Sequence, residues 1–386
     1  MAVIPRISEF AGDLVEIRHD FHMHPEIGFT ETRTSAKVAE LLTAWGLEVH
    51  TGIGKTGVVG VLQGTKGKGR SIGLRADMDA LPMDEHTNLS FRSKTSGVFH
   101  GCGHDAHTTM LLGAARYLAE HRDFTGRVVF IFQPAEEGLG GARAMIEDGL
   151  FDRFPCDEIY GMHNNPLAEE NEVGVKPGAA MAGASFFDIT VRGVGSHGAA
   201  PHHSKDPIVI ATALVQQLQS IVSRNVPPTS AAVLSVTQIH SGSAYNVVPD
   251  QAVVSGTVRY FEDEVRDMMH ARMEALCAGL STAYGVEIVP DIRPIFSVLN
   301  NDPALSEAYI AAAREIVGEP KASLKTELVS ASEDFADMLQ IVPGAYCTVG
   351  HKGSVPVHNP EFVIDDDMLP VGASIYARIA TDRLAV

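Results

Sequence analysis

Residues 128–138 read Val128-Val129-Phe130-Ile131-Phe132-Gln133-Pro134-Ala135-Glu136-Glu137-Gly138. The first five form an unbroken apolar run of strand length, and a strand that does not alternate is buried on both faces. Such strands belong to sheets covered by helices on each side. Two adjacent carboxylates follow almost at once. In open α/β sheets the ends of buried strands carry the active-site loops. Adjacent acids at such a place can divide the work, one binding metal and its neighbour taking a proton from water. A loop with two exposed glutamates fits the same letters, and this segment alone does not decide between them.

Reading outward, Val58–Leu62, Ile72–Leu74, Ile159–Met162 and Ala345–Val349 are further strand-like runs. Helical spacing of apolar residues occurs over 5–20, 32–46, 107–120, 303–317 and 367–384. Strands alternating with helices predict an α/β layered domain. The texture changes near residue 183. A strand at Phe186–Val191 leads to a His- and Gly-rich loop, and Asp206-Pro207 then opens an amphipathic helix to Arg224, with Asp as N-cap and Pro at the first helical position. Strands at Val233–Ile239 and Val253–Tyr260, a helix at 263–283 and a strand at 286–293 complete a βαββαβ order. The predicted fold class is therefore α/β: a catalytic domain with a mixed sheet flanked by helices, over residues 1–183 and 295–386. A smaller α+β domain at 184–294 interrupts it.

The chain has 386 residues and a formal net charge of −18. Nucleic-acid binding needs a clustered basic face, so that class is excluded as an expectation, and anionic membrane surfaces with it. The N-terminus shows no apolar stretch after a basic start, and no run approaches the length of a membrane span, so a cytoplasmic enzyme is expected. Cys102, Cys156, Cys277 and Cys347 are far apart and form no CxxC, which argues against a disulfide framework.

Four more segments carry chemistry. In Cys102-Gly103-His104 a thiolate and an imidazole can face one cavity if the glycines bend the chain, and both ligate zinc-like ions. A glycine-rich turn with a buried cysteine is the plainer reading. Gly161-Met162-His163-Asn164 follows an apolar strand, and Val357-His358-Asn359-Pro360 lies near the C-terminus; a lone histidine is more often structural than a ligand. Arg75-Ala76-Asp77-Met78-Asp79 follows the strand at 72–74, and its acids can hold a ligating histidine in place. Parallel strands end on one side of a sheet, so these clusters would converge at one edge.

RHDFHMHPEIGFTE (18–31), LRADMDALP, HGCGHDAHTTMLLGAA, FQPAEEG, GMHN, GVGSHGAAPHHSKDPI, NVVPD, SEDF and VHNP occur in this order. In this the chain resembles, over nearly its whole length, the hippurate hydrolase-like aminoacylases. That group includes the plant indole-acetyl-amino acid hydrolases and is related to the aminoacylase and glutamate carboxypeptidase metallopeptidases. The resemblance implies a metal-dependent hydrolase that cleaves N-acyl amino acids to a carboxylic acid and a free amino acid. It implies two divalent metal ions, of zinc, manganese, cobalt or nickel, held by Cys102, His104, Glu137, His163 and His358. Glu136 would be the general base and His197 the stabiliser of the oxyanion. Asn246 and Arg259 would hold the substrate carboxylate. Asp79 and Asp105 would support the ligands from behind, with Asp105 and His107 orienting the loop and starting the helix that follows. The inserted domain would be a lid and dimerisation domain, and the protein a homodimer. Where distant relatives have a histidine ligand, this chain has Asp77, as the hippurate hydrolase branch does. A dipeptidase or carboxypeptidase would use the same site, and a non-catalytic binding homologue would have lost a ligand or the base. His100 receives no role.

Overall fold

Arg127–Gln133 lies inside an eight-stranded sheet. In order across the sheet the strands are Glu48–Ile53, Gly57–Gln63, Arg127–Gln133, Ser71–Asp77, Glu158–Asn165, Gly344–Gly350, Val173–Val175 and Ala322–Leu324. The four consecutive strands from Arg127–Gln133 to Gly344–Gly350 are mutually parallel. Those flanking them include antiparallel pairs, so the sheet is mixed. Residues 128–133 are all buried, as an unbroken apolar run requires. The computed structural model describes residues 2–385.

The chain divides into two units. The first runs to Gly178 and resumes over Asn300–Glu327 and from Asp334 onward; the second is Ala179–Leu299 with Leu328–Glu333. In the first unit the helices Ala11–Met23, His104–Glu120, Pro303–Val317 and Met368–Arg383 share one apolar cluster with the sheet. The helix read over 107–120 starts at His104. The strand read over 159–162 runs on to Asn165, so His163 stands on the strand and not after it. Glu48–Ile53, an edge strand with mostly solvent-facing residues, had no apolar pattern to announce it.

A buried cation ties the parallel strands together. Arg75 has no solvent exposure. It donates to Gln133 Oε1 at 2.8 Å, Asp77 Oδ2 at 2.8 Å and Asp334 Oδ1 at 3.2 Å. Gln133 also donates to Asp334, at 2.7 Å. An uncompensated buried charge is expensive, so Arg75→Met is expected to destabilise the chain by about 3–5 kcal/mol. Denaturant titration would show a lower midpoint at an unchanged slope; a loss under about 1 kcal/mol would contradict this account.

The second unit has the βαββαβ order read from the sequence. Its antiparallel sheet runs Ala232–Ser241, Gln251–Tyr260, Gly183–Arg192, Glu287–Phe296. Pro207–Arg224 and Asp263–Tyr284 bury their apolar sides in its core. The Asp206 side chain accepts from Ile208 N at 2.9 Å, the cap expected there. This unit extends beyond 184–294 on both sides and takes in the short segment Leu328–Glu333. No helix among the described residues is long and apolar enough to cross a membrane, and all four cysteines are free thiols.

Candidate metal centre

The parallel strands deliver their carboxyl-terminal residues to one edge of the sheet, and a set of His, Cys, Asp and Glu side chains gathers there. Cys102 Sγ lies 3.3 Å from His163 Nε2. Glu137 Oε1 lies 3.1 Å from His358 Nε2 and 4.0 Å from His104 Nε2. Ligand atoms of Cys102, His104 and His163 fall within 4.8 Å of one another, and so do those of Cys102, Glu137 and His358 and those of His104, Glu136 and Glu137. The five residues expected as ligands, and the expected base, thus belong to overlapping clusters.

Local chain geometry accounts for this convergence. Gly103 precedes the helix with φ +93, a left-handed conformation that glycine adopts without steric penalty. A Cβ there would come 2.5 Å from Asn164 Nδ2. The turn places His104 at the first helical position, with Cys102 just outside. Asn164 closes the other side: its Nδ2 donates to the Cys102 carbonyl at 2.6 Å, and His351 Nε2 lies 3.1 Å from its Oδ1. His358 has φ +62, and its amide donates to the Gly101 carbonyl at 2.8 Å. Ala135, one residue before the acidic pair, has φ +53. Non-glycine residues persist in such conformations only when their surroundings fix them.

Behind these side chains is a buried set of hydrogen bonds. Asp79 Oδ1 lies 3.1 Å from His104 Nδ1, and its Oδ2 accepts the Glu137 amide at 3.1 Å. With Nδ1 directed to Asp79, His104 Nε2 faces the cluster. That nitrogen is buried without a hydrogen-bond partner. His107 Nδ1 lies 2.7 Å from Asp77 Oδ1, and its Nε2 accepts from Asn164 N at 3.0 Å. Asp77 is wholly buried and supports His107 and Arg75. Asp105 Oδ2 faces Arg18 Nε at 3.0 Å and His22 Nδ1 at 2.8 Å, so it anchors the start of its helix to the helix Ala11–Met23.

The electrostatics favour positive charge at this edge. Burial opposes the His104 cation, but the Asp77 carboxylate and hydrogen bonding to Asp79 outweigh it and hold the imidazole well above its ordinary value. Hydrogen bonds to Cys102 and Glu137 push His358 up to about 10. Burial, with His107 nearby, keeps His163 well below its ordinary value and therefore neutral, the form that ligates metal. Burial pushes the Cys102 thiol up, and a thiolate there calls for a cation. A buried unpaired imidazole nitrogen beside a thiol and carboxylates fits a divalent metal of the zinc, cobalt, nickel or manganese kind.

Glu31 was not singled out from the sequence. It is buried with no exposure. Its Oε2 accepts from Thr56 Oγ1 at 2.6 Å and its Oε1 from Ala135 N at 2.9 Å. Burial pushes its carboxyl from the ordinary 4.5 up to about 7. A carboxyl raised in the fold binds more protons folded than unfolded, so its contribution to stability declines as pH rises from about 4.5 to about 7. Glu31→Gln removes that decline. Relative to the parent, the variant is expected to gain roughly 2–3 kcal/mol between pH 5 and pH 8. Denaturation at the two pH values checks this, and equal differences at both would refute it.

His197, Asn246 and Arg259 lie in the second unit. His197 is exposed and pairs with Val247 across a two-stranded ribbon, while the Asn246 carbonyl accepts from Gly198 N at 2.7 Å. Both residues line a cleft of about 850 Å³. Arg259 is partly buried on Gln251–Tyr260 and donates to Ser332 Oγ at 2.8 Å.

The model of peptidase family M20/M25/M40 matches residues 73–382. A hippurate hydrolase of Campylobacter jejuni is 44% identical over 386 residues, covering 100% of both chains. An N-acetylcysteine deacetylase of Bacillus subtilis is 37% identical over 369 residues, covering 95% of this chain and 96% of the other. Among solved structures, a dinuclear metal-binding peptidase of the M20 family from Bacillus subtilis superposes with a TM-score of 0.85 at 34% identity, covering 98% of this chain and 99% of the other.

Proposed function

We propose, from the premise that this chain belongs to peptidase family M20/M25/M40, that it hydrolyses the amide bond of N-acyl amino acids to a carboxylic acid and a free amino acid. The observation that carries this reading is the overlapping clusters formed by Cys102, His104, Glu137, His163 and His358, with Glu136 beside His104 and Glu137, in a chain 44% identical to a hippurate hydrolase.

Those five side chains would hold two divalent metal ions. When bound, the metals supply a water of lowered pKa and polarise the amide carbonyl. Glu136 takes the proton of the attacking water and returns it to the leaving amine. Asp79 keeps the His104 ring in one tautomer and the Glu137 amide in place. His197 stabilises the oxyanion, and Asn246 and Arg259 hold the substrate carboxylate. The fork of Arg259 suits a carboxylate bidentately. The same reading makes the protein a cytoplasmic homodimer whose second unit is the lid and dimerisation domain.

A panel of N-acetyl amino acids, N-benzoyl amino acids and dipeptides, each with defined metals, tests the proposal. The N-acyl compounds are expected to exceed the dipeptides in kcat/KM by about tenfold or more. A preference for dipeptides would make the enzyme a dipeptidase. Binding without product release would make it a binding protein. Activity that survives exhaustive chelation would defeat the metal assignment.

A further inference from the structure

We propose that Glu31 is the positioning residue for the acidic pair: its carboxylate, through the amide of Ala135, sets the backbone from which Glu136 and Glu137 project. The assignment rests on the reading of those two residues as base and ligand.

Four observations carry it. Glu31 is wholly buried, yet its two hydrogen-bond partners are neutral donors, Thr56 Oγ1 and Ala135 N, and neither is a cation. A buried polar side chain is tolerated where its oxygens are hydrogen-bonded, and here both are committed to holding neighbouring chain in place. Second, Ala135 is held at φ +53, which its surroundings must impose. Third, the loop is tight around that residue. The Ala135 carbonyl accepts from Gly141 N at 3.0 Å, and a Cβ on Gly28 would come 2.9 Å from Ala135 Cα. Fourth, the amide of Glu137 is also fixed, on Asp79 at 3.1 Å. Glu136 is thus bracketed by two amides, each held by a carboxylate. Glu31 supplies one bracket from the N-cap of Thr32–Ala44, and Thr56, in the turn before Gly57–Gln63, fixes the other oxygen.

The geometry separates the reach of the side chain from its charge. Glutamine has the same length; its oxygen can accept from Ala135 N while its amide donates to the Thr56 hydroxyl. Aspartate keeps the charge but withdraws the oxygens by one methylene. If position matters, Glu31→Gln works and Glu31→Asp does not.

The deciding measurement is the affinity of each full-length variant for Co²⁺ alone, by competition with a chelator. It needs no substrate, so it stands even if the wild-type chain proves inactive on N-acyl amino acids, a result that would defeat the function and not this inference. Glu31→Asp is expected to bind Co²⁺ about tenfold more weakly than the parent, with Glu31→Gln within about threefold. On an N-acyl amino acid, kcat is expected to fall by about tenfold to a hundredfold in Glu31→Asp with KM nearly unchanged, and to be rescued in Glu31→Gln. Co²⁺ affinity equal in the two variants, or stronger in Glu31→Asp, would overturn the proposal. So would melting temperatures that drop while affinity and kcat hold, since that is the mark of a purely structural residue.

Discussion

Replacing Glu136 by glutamine is expected to lower kcat by about 10²–10⁴ while leaving metal content unchanged. Glutamine keeps the shape of the buried side chain and removes only its ability to take a proton. Glu136 shares a cluster with His104 and Glu137, close enough to serve a water held there and distinct from the residue proposed to ligate. Turnover and metal analysis on the same preparation separate the two roles. Near wild-type turnover would remove Glu136 as base. Loss of metal with turnover would make it a ligand and exchange the assignments of the two glutamates.

The second large effect is expected from His104→Ala. The imidazole joins two systems: Nε2 faces the cluster unpaired, and Nδ1 meets Asp79, whose other oxygen holds the Glu137 amide. Its removal takes away one proposed ligand and loosens a second. Metal affinity is expected to fall by roughly a hundredfold or more, beyond the effect of losing an outer partner alone. Hydrolysis should fall to background at ordinary metal concentrations. The buried Asp79 loses a partner as well, at a cost to stability of about 1–3 kcal/mol. Wild-type metal stoichiometry after dialysis would rule out His104 as a ligand.

Much of this centre was legible because it lies at the ends of strands that announce themselves. Val128–Phe132 could hardly be anything but a buried strand, and Glu136 and Glu137 had to follow at its carboxyl end. The same logic was off by a few residues at His163, because Gly161 to Asn165 continues the strand although its side chains turn polar. Asp105 adjoins His104, but adjacent residues on a helix diverge by roughly 100°, and its carboxylate faces Arg18 and His22. The sequence carried no comparable sign for Glu31 or Asn164. Each acts through a backbone group 104 or 62 residues away in the chain, and nothing local marks such a partner. Arg75 and Asp334 were quoted only as parts of motifs; their ion pair became visible once two strands and a later loop met. The segment Leu328–Glu333 was unreadable as part of the second unit, because membership there depends on packing across a gap in sequence.

The proposed ligands stretch from Cys102 to His358, across four separate stretches of chain. During synthesis the ribosome delivers them in order, and the set stays incomplete until residue 358 has emerged. Cys102 and His104 wait longest, exposed to whatever soft metal the surroundings hold. His358, the last proposed ligand, also has an unusual backbone conformation, φ +62, with its amide bound to the Gly101 carbonyl. If these residues hold the metal, its capture coincides with closure of the C-terminal chain onto the earlier loop. Metal supply would then stabilise the finished molecule by mass action and give little help to a chain still missing its end.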